Sequence, residues 1–198
     1  MTRRAPSISL TSLLAAGILV PVALAWAGFI PTFRFTRERI EVTVHPASVD
    51  VDGLYVYANP LPLSWSQGLR VPFATDALHP GPATVEVTEV DAASGKDTKE
   101  LATHWFGEEP YFTIRVPAFA ARHIRVRFTQ YSPARSATYL LTTTRPWGRP
   151  LEEGEYVLRP LGVRIVASNY PLDGRGCLCF TRRHFMPDHD WSFTWLPQ

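Results

Sequence analysis

The densest collection of reactive side chains lies near the C-terminus, from Cys177 through Cys179, His184, Met186 and His189 to Asp190. Thiolate, imidazole and thioether together are the soft ligand set that selects copper. In a strand Cys177 and Cys179 project to one face, and His184, Met186 and His189 follow within a loop that could fold back on them. Three plainer roles compete for the cysteines. They are buried small hydrophobes, a local disulfide that needs a turn to bring its Cα atoms close enough, or a bridge between two chains. No cofactor is the first reading and copper the alternative. Asp188-His189-Asp190 is expected as a solvated turn before a last strand.

Hydrolytic and nucleotide chemistry find no foothold. The chain has no Gly-x-Ser-x-Gly elbow, no His-Glu-x-x-His and no glycine-rich phosphate loop. Glu108-Glu109 and Glu152-Glu153 are adjacent carboxylates, which face opposite ways on a strand and are usually both hydrated on a turn, so a glycosidase-type acid and base pair is not the expectation for them. The expectation is a protein that is not an enzyme.

A second candidate is electrostatic. From Tyr111 to Pro150 there are seven arginines and no acid, whereas Pro31 to Pro110 carries twelve acids against six basic residues. In Ile124-Arg125-Val126-Arg127-Phe128 the alternation sends the apolar side chains to one face and both arginines to the other. Arg122, Arg125, Arg127 and Arg135, with Tyr131 as an aromatic anchor, are therefore the expected partner-binding residues, Arg and Tyr being enriched where interfaces carry energy. The competing expectation is that the acidic half neutralises this strip inside one fold through ion pairs of small individual worth.

These side chains must be carried on strands. Apolar residues recur with period two in Ile40–Val44, Leu54–Tyr57, Thr84–Thr88, Phe112–Val116, His123–Phe128, Thr138–Thr144, Tyr156–Leu158, Val163–Val166, Cys177–Phe180 and Trp191–Trp195. Asp52-Gly53, Ser94-Gly95, Ser132-Pro133, Glu153-Gly154 and Asp173-Gly174 supply turn chemistry. This predicts an all-β fold, a single immunoglobulin-like or related β-sandwich of about nine or ten strands. Residues 39–198 form the domain, residues 31–38 a short stalk, and Gln67–Pro82 an irregular loop over one sheet.

The 198 residues, 45% of them hydrophobic, are enough for one such core. Eighteen prolines and two cysteines exclude a long coiled coil and a disulfide-framework miniprotein. The net charge of +2 does not favour a polyanion as partner of the whole chain, so nucleic acid is not expected.

Residues 8–30 form an apolar run long enough to span a bilayer as a helix, with Arg3 and Arg4 before it. Residues 1–30 are read as a signal anchor, or as a signal peptide cleaved near Ala25 at Ala23-Leu24-Ala25. In the first case the protein is single-pass, with an extracytoplasmic C-terminal domain; in the second it is secreted or periplasmic. The export reading rests on an N-in topology that the positive-inside rule supports only weakly, because Arg34, Arg37 and Arg39 lie on the far flank as well; an inverted, cytosolic domain is the competing expectation. An envelope protein is the expected partner, which makes this chain an interaction or accessory subunit.

Two segments carry resemblances. Tyr139 to Leu151, followed by Glu155 to Pro160, resembles bacterial membrane-anchored extracytoplasmic β-domain proteins, in which a threonine-rich strand, a Trp-x-x-Pro-Leu turn and an aromatic strand succeed one another. It covers about a tenth of the chain and implies location and fold, with Trp147 between Pro146 and Pro150 as a rigid corner plugging the sandwich. The C-terminal cluster loosely resembles the Cys/His/Met loops of copper electron-transfer domains, but its cysteines are separated by one residue instead of three, and no upstream histidine is assigned to it.

Overall fold

The structure, a computed structural model, describes residues 32–172 and 178–198. The apolar run of residues 8–30, Cys177 and the Asp173-Gly174 turn lie outside the described residues. Among the described residues no helix is long and apolar enough to cross a membrane.

Thirteen strands form among them, together with one 3-10 helix at Leu141–Trp147. Along the chain these are β1 (Arg34–Val44), β2 (Ser48–Ala58), β3 (Trp65–Arg70), β4 (Val85–Val90), β5 (Asp97–Glu100), β6 (His104–Phe106) and β7 (Glu109–Val116). They continue with β8 (Ala121–Tyr131), β9 (Ser136–Tyr139), β10 (Leu151–Pro160), β11 (Val163–Ser168), β12 (Leu178–Phe185) and β13 (Trp191–Pro197). The main sheet has the order β12-β10-β1-β2-β8-β4-β5, and two three-stranded sheets have the orders β11-β13-β9 and β3-β7-β6. All strand neighbours are antiparallel except β1 and β10. The all-β sandwich expectation is met, but with thirteen strands among the described residues where about nine or ten were expected, because the short strands β3, β5 and β6 show no apolar period of two.

The inner faces share one core. Ile40, Val42 and Val44 of β1 and Ile124 and Val126 of β8 are buried in the same cluster as Phe112, Ile114 and Val116 of β7 and Trp191, Phe193 and Trp195 of β13. Strand β2 shows the two-residue period most clearly, since Val49, Val51, Gly53, Tyr55 and Tyr57 are buried and the residues between them are not.

Four local expectations are corrected. The segment expected as a stalk is strand from Arg34 onward, because Phe33, Phe35 and Glu38 are buried and β2 pairs with it along its length. Asp52-Gly53 and Glu153-Gly154 are not turns but lie mid-strand in β2 and β10. A Cβ built at Gly53 would collide with the ring of Tyr55, and one at Gly154 would lie 2.5 Å from the Tyr156 hydroxyl. Each glycine is there to let a tyrosine two residues on lie flat against the sheet. Thr142–Thr144 does not continue a strand but turns into the 3-10 helix, where the Asp190 carboxylate accepts from the backbone N–H and hydroxyl of Thr142 (2.8 and 2.7 Å). The stretch expected as a loop from Gln67 begins inside β3, paired with β7 up to Arg70, and is irregular only beyond it.

Candidate functional site

The sequence-predicted arginine strip is fixed by register. Arg127 stands directly opposite Asp52 on β2 and Glu86 on β4. It meets them at 3.2 and 3.1 Å and reaches Asp97 at 2.8 Å. Arg125 meets the same Asp97 at 2.5 Å and Asp52 at 3.2 Å. The arginines hold the Asp97 carboxyl below the usual carboxylate range against the opposing effect of desolvation, and the two aspartates raise the Arg127 guanidinium above its ordinary value against the same penalty. Arg122 lies 4.0 Å from Glu89. Tyr131 is exposed at the opposite end of β8, nine residues from Arg122 or about 30 Å along the strand. Arg135 follows in the next turn with a left-handed backbone. The five residues therefore do not make one patch, and the two central arginines are occupied by carboxylates of the same sheet.

The C-terminal set is dispersed among structural duties. Cys179 stands opposite Val157 within β12. His184 is exposed with φ of +48°, and Met186 is exposed beyond the end of the strand. The His189 ring stacks on Tyr170 at 4.4 Å and bonds Asp188 at 2.6 Å, in the turn expected there. Tyr170 in turn stacks on Phe180, which meets Tyr156 and Trp191, so the segment is an aromatic plug for the main sheet. Among the described residues no group of three or more His, Cys, Asp or Glu side chains is arranged to hold a metal ion.

The feature that sequence reasoning missed lies between the sheets. A cavity of about 360 Å³ is walled by Val42 of β1, Val51, Tyr55 and Tyr57 of β2, Gly68 of β3, Val126 and Phe128 of β8, Tyr139 of β9, Trp147 and Phe193. This volume falls in the range of small-molecule pockets. Among the described residues its charged lining is Arg70 and Glu109, 3.8 Å apart; with Pro146 they are the more exposed members and mark where it meets solvent.

Glycine keeps this space open. Tyr55 lies back over Gly53, and Tyr111 lies over Gly68, where a Cβ would strike its hydroxyl. Upright tyrosines would fill the gap between the layers. Trp147 packs on Phe35 and Tyr57 at 5.7 and 5.4 Å, so the expected rigid corner forms one wall.

Inside the Arg70–Glu109 rim, the polar side chains of the cavity are hydroxyls and amides. Tyr55 and Tyr139 share a hydrogen bond of 2.5 Å. Gln67 Oε1 accepts from the Thr32 backbone N–H and hydroxyl at 3.0 and 2.8 Å. The Tyr57 hydroxyl makes no hydrogen bond among the described residues. Behind this wall, Glu38 is buried on β1 opposite Tyr55 and Gly154 and accepts from the Tyr156 hydroxyl. Burial raises the Glu38 carboxyl to about 7, which the tyrosine bond only partly offsets. Desolvation, aided by Glu38, raises the hydroxyls of Tyr55, Tyr57 and Tyr139, so all three stay neutral donors. Extending the period of Ile40, Val42 and Val44 back by one step places Glu38 inward; that signal was present in the sequence. Nothing in the sequence announces the cavity itself.

No protein-family model and no curated protein matches the chain. Solved structures do. A protein from Legionella pneumophila provisionally described as nutrient-binding superposes with a TM-score of 0.61 at 15% identity, over 87% of this chain and 68% of that one. An M1 zinc metallopeptidase from Deinococcus radiodurans gives a TM-score of 0.44 at 12% identity, over 83% of this chain and 42% of that one. The chain thus spans about two fifths of the peptidase. The likeness to the Legionella protein is one of fold alone.

Proposed function

We propose that this chain is a non-catalytic, membrane-anchored envelope protein whose β-sandwich takes up a small, uncharged, largely apolar molecule between its sheets. The cavity carries this reading: its walls are aliphatic and aromatic, its interior hydrogen-bonding groups are neutral, and its charged pair sits at the rim. A buried ion would have no countercharge to meet there. The apolar run of residues 8–30 supports placement at a membrane. A protein partner docking on Arg125 and Arg127 would have to displace Asp52, Glu86 and Asp97, so the cavity takes precedence over the arginine strip as the site of recognition.

The test uses the full-length protein in lipid nanodiscs, titrated with 1-aminoanthracene as an uncharged aromatic probe. Energy transfer from tryptophan is compared with that in Ala137→Phe, which places a ring in the cavity from β9. Saturable transfer in the wild type that is lost in the variant is the expected result. Equal transfer in the two proteins overturns the reading, because probe dissolved in lipid is common to both.

A further inference from the structure

We infer that the end of the sandwich where the chain enters at Thr32 rests on the bilayer surface through two apolar loops, the β2–β3 loop and the β7–β8 loop. The two loops are held together at this end by one buried residue. Asn59 donates through Nδ2 to the backbone carbonyls of Leu63, Val116 and Pro117 and accepts at Oδ1 from the Leu61 N–H. The Phe119 N–H bonds the Leu61 carbonyl at 3.2 Å. This framework presents Leu63 at 50% exposure, next to exposed Pro62 on the β2–β3 loop, and Phe119 at 73% on the β7–β8 loop. Phe119 is held at φ +53°, a conformation that costs a non-glycine residue energy and persists only where surrounding bonds impose it. A large aromatic held outward against both its backbone preference and the hydrophobic effect calls for an apolar occupant.

The occupant is identified by what lies beside the loops. Arg34 pairs with Ala58 and Ala58 with Ala121, so the first residues of β1 emerge directly beside the β2–β3 loop, with the β7–β8 loop on its other side, and the apolar run of residues 8–30 immediately precedes that point. Neither loop carries an acid. Arg34 and Arg115 are exposed at their bases with no ion pair among the described residues. Of the acids at this end of the main sheet, Glu152 and Glu153 at the start of β10 lie 3.7 Å from Arg37 and Arg183 respectively, and Asp91, in the turn between β4 and β5, is bonded by Ser94. Apolar tips above a basic collar match a bilayer with anionic headgroups, whereas a protein partner has no such tie to the point of chain entry.

The inference rests on the anchored reading proposed above and is independent of the cavity. Full-length protein with Cys177→Ser and Cys179→Ser is reconstituted into phosphatidylcholine vesicles containing phosphatidylglycerol, with a nitrobenzoxadiazole label at Leu63→Cys. A second protein carries the label at Leu161→Cys, exposed at the opposite end of the main sheet. The expected result is blue-shifted emission at position 63, quenched by a spin-labelled lipid, with water-like, unquenched emission at position 161. Flotation with the vesicles but equal emission at both positions overturns the docking while leaving the anchor intact. Failure to float overturns the anchor, and the docking with it.

Discussion

The two faces of the main sheet use the same strands to opposite ends. On β2 and β8 the outward residues Asp52, Arg125 and Arg127 meet charge with charge. The inward residues Tyr55, Tyr57, Val126 and Phe128 enclose an apolar space whose polar groups are neutral. A shallow groove on the outer face, between Glu41, Asp50, Asp52, Glu86 and Arg127, is comparable in size but polar and open. The difference teaches where recognition energy can be stored. The outer pairs are already formed and partly in water, so they offer a partner little, whereas an apolar cavity with neutral groups inside its rim gains by being filled.

That contrast can be broken hardest at Gly154. Its Cβ position is taken by Tyr156, which is fully buried and cannot swing away, so Gly154→Ala should both overpack the core and break the Tyr156 bond to Glu38. A loss of about 3 kcal/mol is expected in urea denaturation. Stability within a few tenths of the wild type would show that the inner face is not tightly specified.

Glu38 provides the next test, and its sign follows from the raised carboxyl. With a folded value of about 7 against an ordinary 4.5, the folded state holds the proton more strongly than the unfolded chain. The contribution is fully favourable below pH 4.5 and is lost as pH rises toward 7, by on the order of 3 kcal/mol. Glu38→Gln keeps an acceptor for Tyr156 and has no proton to lose. The variant should therefore gain on the wild type between pH 5 and pH 8 in parallel denaturation curves. A constant difference across that window would contradict a buried, neutral inner face.

The smallest effect belongs to the outer face. Arg127→Gln removes three exposed or half-exposed ion pairs yet should cost no more than about 1 kcal/mol, and less as salt is added. A large, salt-independent loss would mean that the outer network organises the sheet, and the comparison would reverse.

Particular residues show how far the sequence could be read. Alternation in Ile124–Phe128 gave the two faces of β8 correctly, because a pleated strand leaves side chains no other choice. Asp52-Gly53 and Glu153-Gly154 misled, since local turn chemistry is the same whether glycine serves a reversal or makes room for a ring. Glu38 was legible by period, yet the clear alternating run begins only at Ile40, which left Glu38 in the expected stalk although its side chain is buried. The arginine strip was legible as a strip, while its partners Asp52, Glu86 and Asp97 come from three other strands.

By itself the amino-acid sequence determined that this chain is all-β, that β8 is basic outside and apolar inside, and that an apolar segment precedes the domain. These follow from composition and a period of two, which act over a few residues. Only the tertiary structure decided that the arginines are spent on carboxylates, that His189 packs on Tyr170 in an aromatic plug, and that the sheets stand apart around a cavity. Register and layer spacing set those outcomes, and both depend on residues as distant as Glu38 and Tyr156, whose meeting no local pattern encodes.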